Sequence, residues 1–155
     1  PQDRNDEPAS ELLKKIKAEK EKLIREGKIR KDKPLPLITK EEIPYELPKG
    51  WEWVRLQEVF DVRDGTHDTP KYVDSGHPLV TSKNLYNGKF DMTDVKYISE
   101  NDYMSISKRS KVDNGDILFA MIGSIGNPVQ IDIDPNFSIK NVALFKYYDL
   151  NLNNS

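Results

Sequence analysis

The chain has 155 residues, of which 36% are apolar and 32% are charged, and its formal net charge is −2. This length allows one domain with an appendage. The acidic balance argues against a uniformly basic nucleic-acid-binding domain, although it still permits one basic face. Residues 1–44 contain 12 basic and 10 acidic side chains and no aromatic ring, whereas residues 45–155 contain 12 basic and 16 acidic side chains and all the aromatic rings.

The absence of cysteine excludes disulfides, thiolate nucleophiles and cysteine-based zinc sites. It also fits a reducing compartment. No apolar run approaches the roughly 20 residues of a membrane span, and the first ten residues lack the features of a signal peptide. We therefore expect a cytoplasmic protein that does not bind membranes, and we interpret the chain as part of a longer one.

The N-terminal segment 5–27 predicts an amphipathic helix. Leu12, Ile16 and Leu23 fall on one face at helical spacing. We expect this stripe to pack on a partner helix or to fold back on the rest of the chain. Because the charged Glu19 and Lys20 interrupt the stripe in its middle turn, a long self-contained coiled coil is not expected.

The sequence divides into three predicted parts. Residues 1–30 form a helical spacer, residues 31–50 form an extended linker with four prolines, and residues 51–155 form a β-rich domain with one or two short helices. The fold class expected from this order is α+β, since the strands do not alternate regularly with helices.

From residue 51 onward, short strands are predicted between turn signals. Asn87-Gly88 is the usual pair for a type I′ hairpin turn. A short helix is expected after Ser99, which can act as its N-cap. The strands are expected in the segments WEWVRL, VFDVR, HPLVTS, the two arms around Asn87-Gly88, VKYIS, DILFAMI, PVQIDI and NVALFKYY.

The segment GSIGNPV, residues 123–129, which we call the glycine corner, is the candidate for a nucleotide-binding loop. A phosphate-binding loop of the Walker type continues into Gly-Lys-Ser/Thr and a helix. No lysine follows here, and Pro128 with the β-branched residues after it favours a strand. We therefore interpret the corner as a turn between two antiparallel strands.

Candidate catalytic and metal-binding sets are weak. His67 and His77 are the only histidines, and their spacing to the nearby aspartates matches no known zinc pattern. We interpret both as surface loop residues. The nucleophile elbow G-x-S-x-G is also missing. The sequence thus predicts neither a catalytic residue nor a metal site.

Three polar segments have the chemistry of nucleic-acid contacts. They are RDGTHDTPKY at 63–72, TSKN at 81–84 and SKRSK at 107–111. Arginine and lysine bind phosphates or guanine edges, asparagine reads adenine, and hydroxyl groups bind phosphate oxygens. The competing interpretation is that these are solvated loops and a charged helix end, and composition alone favours it.

Several blocks, taken in order, resemble one protein family. ELPKGWEWVRLQEVFDVRDG resembles the start of a target-recognition domain in the specificity subunit of type I restriction–modification enzymes. The segment from residue 5 to 36 resembles the helical spacer of that family. PLVTSKNLYNGK, KVDNGDILFAMIGSIGN and FSIKNVALFK resemble later blocks of the same domain. No single block is specific, but the ordered set covers nearly the whole chain.

The resemblance implies sequence-specific recognition of double-stranded DNA, with this domain reading one half of a bipartite site and carrying no activity of its own. It implies partner methyltransferase subunits and a restriction subunit, which would use S-adenosylmethionine, ATP and Mg. It also implies that the domain at 51–155 is incomplete at its C-terminus. The alternative is a protein-interaction or scaffold module that docks through its N-terminal helix. The candidate DNA contacts are Arg63, His67, Lys71, Tyr72, Ser82, Lys83, Asn84, Lys108, Arg109 and Lys111.

Overall fold

A computed structural model of the chain describes residues 7–123 and 125–149. Its backbone mixes helices with many short strands, as the predicted α+β class requires. The chain divides into two compact units, one formed by residues up to Asp61 with those from Tyr147 onward, and one formed by Val62–Lys146. The predicted domain boundaries near residues 30 and 50 stay predictions.

The predicted N-terminal helix is present as α1, Ala9–Arg25. Its end is set by a Schellman motif, since the N–H of Gly27 donates to Ile24 and the N–H of Lys28 donates to Leu23. Gly27 has φ +70°, the left-handed conformation that this motif needs.

The charged Lys20 is accommodated on the apolar face of α1, because its side chain makes specific contacts there. Its ammonium group donates to Asp32 at 2.6 Å and to the carbonyl of Gln57 at 2.7 Å, and lies 5.3 Å from the ring centroid of Tyr148. Of the three stripe residues, Ile16 is 4% exposed, and Leu12 and Leu23 are half-buried. The stripe thus folds back on its own unit, and its packing on a partner helix stays a prediction.

The linker is largely irregular, with one 3₁₀ turn at Lys40–Glu42. Two hydrogen bonds of 2.7 and 2.9 Å join the Arg55 guanidinium to the carboxylate of Glu42. The bonds from Arg55, followed by one from the N–H of Thr39, hold the pKa of Glu42 at about 2. This ion pair ties the linker to the segment that precedes the first strand.

The predicted strand WEWVRL is wrong. Residues 51–55 are irregular, and the short helix α2, Leu56–Val59, follows them. The N–H of Arg55 donates to the Glu58 carboxylate at 2.7 Å, so a side chain three residues ahead caps the helix start. α1 packs against α2 within this unit.

In the described ranges, ten short strands form three sheets. Their orders are β1-β10-β7-β8, β2-β6-β3-β9 and the hairpin β4-β5, and α3 spans Glu100–Ser110. The strands are β1 Phe60–Asp64, β2 Tyr72–Val73, β3 His77–Val80, β4 Leu85–Tyr86, β5 Lys89–Phe90, β6 Lys96–Ile98, β7 Ile117–Ala120, β8 Gly126–Gln130, β9 Ser138–Ile139 and β10 Val142–Tyr147.

Several local predictions are confirmed. Asn87 and Gly88 have φ of 50° and 68°, as a type I′ turn requires, and join β4 to β5. The hydroxyl of Ser99 accepts a hydrogen bond from the N–H of Asp102 and caps α3. The glycine corner turns β7 into the antiparallel β8.

The centre of the core is strand β7, with β8 and β10 on either side of it. Leu118 is opposite Leu144 on one side and Val129 on the other, and all three are buried. Each such side chain contributes roughly 1.5–3 kcal/mol through burial.

Among the residues that the structure describes, no helix has the length and apolar character that crossing a membrane requires.

Candidate nucleic-acid interface

Asn141, in the turn between β9 and β10, is the point at which two of the predicted polar loops meet. Its backbone has φ 54°, a left-handed conformation that asparagine tolerates better than most residues. Its N–H donates to the carbonyl of Thr66 at 3.1 Å, and the N–H of Thr66 donates to the carbonyl of Ile139 at 2.9 Å. The loop after β1 is thereby attached to this turn through the main chain.

Two predicted contact residues bind Asn141 directly. Nδ1 of His67 lies 3.0 Å from the Asn141 side-chain oxygen, and the hydroxyl of Ser82 donates to the Asn141 carbonyl at 3.1 Å. His67 follows β1 and Ser82 follows β3, so the structure brings together residues from two separate loops. His67 is exposed and Ser82 is half-buried, which leaves this surface open to a ligand.

The third polar segment reaches the same loop through Arg109. Its guanidinium donates to the carbonyl of Gly65 at 3.1 Å, and Arg109 itself is exposed. A Cβ atom at Gly65 would lie 2.6 Å from the carbonyl oxygen of Ile139, so a larger residue at this position would displace the loop. The three polar segments therefore share one surface, which we call the Asn141 node and define by Gly65, His67, Ser82, Arg109 and Asn141.

The other predicted contacts lie outside the five residues that define the Asn141 node. Lys71 and Tyr72 are exposed at the start of β2. Lys83 pairs with Asp94 at 2.7 Å, and Lys111 pairs with Asp113 at 3.1 Å. Exposed pairs of this kind contribute little to stability and exchange readily for other anions. Lys108 is exposed in the last turn of α3, and Arg63 is half-buried in β1.

Asn84 has a structural role that the sequence did not indicate. It is 2% exposed, its side-chain oxygen accepts from the N–H and hydroxyl of Thr81, and its amide nitrogen donates to the carbonyls of Asp91 and Asp94. All of its hydrogen-bonding groups are used. In this conformation it has no free edge for a base, and it instead fixes the hairpin β4-β5 beside the loop after β3.

His77 belongs to β3 and not to a surface loop, which corrects the interpretation from sequence. Its Nε2 lies 2.5 Å from a carboxylate oxygen of Glu100, and its Nδ1 lies 2.8 Å from the side-chain oxygen of Asn136. The ring stacks on Tyr103 with centroids 3.9 Å apart. The bond to Glu100, ahead of that to Asn136, raises the pKa of His77 above its usual value. This cluster attaches α3 to the sheet.

In the described part of the chain, no three histidine or acidic side chains come together in a way that could hold a metal ion. The residue that organises the site, Asn141, was missed from sequence because it stands inside a block that reads as strand. An asparagine at the start of a predicted strand favours a turn at that point, but it does not indicate which residues the turn will contact.

No model of a known protein family matches the chain. Comparison with curated proteins finds similarity to specificity subunits of type I restriction enzymes. The whole chain is similar to the specificity subunit of the type I restriction enzyme EcoAI of Escherichia coli, with 39% identity over 162 residues. A stretch of 59 residues, 38% of the chain, is 63% identical to the specificity subunit of the type I restriction enzyme EcoEI of the same organism. The predicted resemblance to type I specificity subunits is thus confirmed.

The chain spans only 27% of the EcoAI subunit and 10% of the EcoEI subunit. Among solved structures, a crystal structure of an HsdS subunit from Thermoanaerobacter tengcongensis aligns with 91% of the chain and 32% of its own length. That alignment has a TM-score of 0.44 and 20% identity.

We expect Asn84→Ala to lower the free energy of unfolding by about 2–3 kcal/mol, because the buried side chain loses its hydrogen bonds to Thr81, Asp91 and Asp94. Chemical denaturation measures this. The control is Asn114→Ala, since Asn114 is exposed and donates one side-chain bond, to Ile133. A loss no larger than the control's would contradict the structural role of Asn84.

We expect the stability contributed by His77 to be present below its unfolded pKa and to be lost as the pH rises through its higher folded pKa. An NMR titration of the ring should give a midpoint above 6.5 in the natural sequence and a lower one in Glu100→Gln. Asp132→Asn, a change of an exposed carboxylate elsewhere, should leave the His77 midpoint unchanged. Equal midpoints in all three proteins would refute the contact with Glu100.

Proposed function

We propose that this chain is a non-catalytic DNA-recognition module that reads one half of a bipartite site as part of a type I restriction–modification complex. The observation that carries the proposal is the meeting of three polar segments at the Asn141 node. Loops on opposite faces of the molecule could not meet one groove of a duplex. The similarity to two curated specificity subunits supports the same function.

The residues of the Asn141 node would take different roles. Arg109 can donate to guanine or phosphate acceptors through guanidinium N–H groups that Gly65 does not use. Because Nδ1 of His67 and the Ser82 hydroxyl both face oxygens of Asn141, Nε2 of His67 and the Ser82 oxygen can accept from base amino groups. Arg63, Lys71 and Tyr72 would extend the contact along the loop after β1. The peripheral positions Lys83, Lys108 and Lys111 would bind phosphates and set the orientation of the duplex.

The acidic composition is compatible with this proposal. The chain has a net charge of −2, so its own long-range attraction for DNA is small. The electrostatic contribution would come from partner methyltransferase subunits and a restriction subunit, which would also use S-adenosylmethionine, ATP and Mg. This arrangement fits a cytoplasmic complex.

The alternative is a scaffold module that docks through α1. Against it, Ile16 is already buried and Lys20 already has three contacts within the same unit, so little of the stripe is left for another protein. Leu12 and Leu23 are half-buried, and they are the positions at which a partner helix would add contact area.

Selection from a random DNA pool tests the function. The complete complex with its partner subunits should enrich a two-part motif, and exchange of residues 62–146 for the matching segment of another specificity subunit should change one half of the motif only. Enrichment of no motif would refute DNA recognition and favour the scaffold alternative.

We expect the double substitution Lys108→Gln with Lys111→Gln to weaken DNA binding by the complete complex for all sequences. It should also reduce the slope of log affinity against log salt by about 2, since each phosphate contact contributes about 0.9. Arg109 is left intact because it also holds the carbonyl of Gly65.

The matched control for this prediction is Lys17→Gln with Lys49→Gln, which removes the same charge from exposed positions outside the Val62–Lys146 unit. Its slope should equal that of the natural sequence. Equal slopes for both double variants would remove Lys108 and Lys111 from the interface.

A further inference from the structure

A groove of about 420 Å³ lies beside the Asn141 node, between the loop after β3 and the turn after β7. The polar part of its lining, the polar wall, contains Thr81, Ser82 and Lys83. The apolar part, the apolar wall, includes Tyr86 of the hairpin and Ile122 of the turn. Ser82 therefore belongs both to the groove and to the Asn141 node, so the two surfaces are continuous.

The apolar wall is unusually open to solvent. Tyr86 is 63% exposed and Ile122 is 53% exposed, and Ile125 in the same turn is 72% exposed. Single exposed apolar residues are common, but a group that lines a groove marks a binding surface. The described part of the chain leaves these side chains uncovered.

Hydrogen bonds and strand pairing position the described residues on both sides of the groove. Asn84 joins the loop after β3 to the segment that follows the hairpin, through bonds of 2.9 and 3.1 Å to the carbonyls of Asp91 and Asp94. The turn after β7 is closed by the antiparallel pairing of Ala120 with Gly126. A preformed groove loses little conformational entropy on binding.

Resting on the proposed function, we infer that this groove reads an A·T base pair through the C5 methyl group of thymine. An A·T pair is the one natural pair whose major-groove edge carries a methyl group beside hydrogen-bonding atoms. Ile122 and Tyr86 supply the apolar contact, and the hydroxyls of Thr81 and Ser82 face the polar atoms.

Lys83 supplies the positive charge at the rim of the groove. It pairs with Asp94, but the two side chains are 50% and 78% exposed, so a DNA phosphate can replace the carboxylate. Continuity with the Asn141 node, together with this charge, favours DNA over an apolar peptide as the occupant.

The test replaces each thymine of the selected half-site, in turn, with deoxyuridine, which removes the methyl group and nothing else. In the complete complex, one such replacement should weaken binding about fourfold, the value of one buried methyl group. Ile122→Ala should lose at least half of this discrimination. Since Ile122 is exposed, the variant should fold normally.

Ile133→Ala is the matched control, because Ile133 is 43% exposed and does not line the groove. It should keep the full methyl discrimination. The inference is overturned if no thymine is methyl-sensitive, if Ile122→Ala retains the full effect, or if Ile122→Ala instead prevents assembly with the partner subunits. A selected motif without methyl sensitivity would refute this inference alone, whereas the absence of any motif would refute the proposed function with it.

Discussion

The arrangement of the polar loops depends on the hydrogen bonds of Asn141. Its N–H, its carbonyl and its side-chain oxygen bind Thr66, Ser82 and His67, respectively. These partners lie in segments that are separated from it by 59 to 75 residues, so one turn fixes the mutual position of loops that are distant in sequence. Because its backbone is left-handed, few residues other than asparagine and glycine could occupy the position, and glycine would lose the bond to His67.

In the N-terminal unit, the side chain of Lys20 joins segments that are distant in sequence, as Asn141 does in the other unit. Lys20 places its ammonium group on Asp32 and Gln57 while its side chain is only 16% exposed. A buried ammonium group is tolerated only where such partners are present. These bonds attach α1 to the linker and to α2 and fix the rotation of α1 about its own axis. An apolar residue at position 20 would fix that rotation less strictly.

Local features of the fold were predictable from sequence. The hairpin at Asn87-Gly88 and the Ser99 cap depend on residues within three or four positions of each other, and both are present. The strand predicted at WEWVRL is wrong, because its apolar residues do not pack in a sheet. Trp51 is 56% exposed instead, and Glu58 caps a helix at Arg55.

The site was only partly predictable. Sequence indicated the polar loops, and His67, Ser82 and Arg109 do meet. It could not distinguish Asn84, whose amide is consumed inside the protein, from an asparagine that faces a ligand. Nor could it find Asn141, since the partners of that residue become neighbours only when β3 and β9 pair in parallel and bring their following turns together.

Main-chain hydrogen bonds position the loop after β1 and the turn after β9, in addition to the side chains of Asn141 and Arg109. Gly65 donates to Val142, Thr66 donates to Ile139, and Lys140 donates to Val80, each at 2.8 or 2.9 Å. Main-chain hydrogen bonds do not depend on the identity of the side chains that follow. Residues at positions 67–71 can therefore be substituted without a change of fold. A chain with this frame can therefore change the chemistry of one exposed loop while it keeps the sheets and turns that hold the loop.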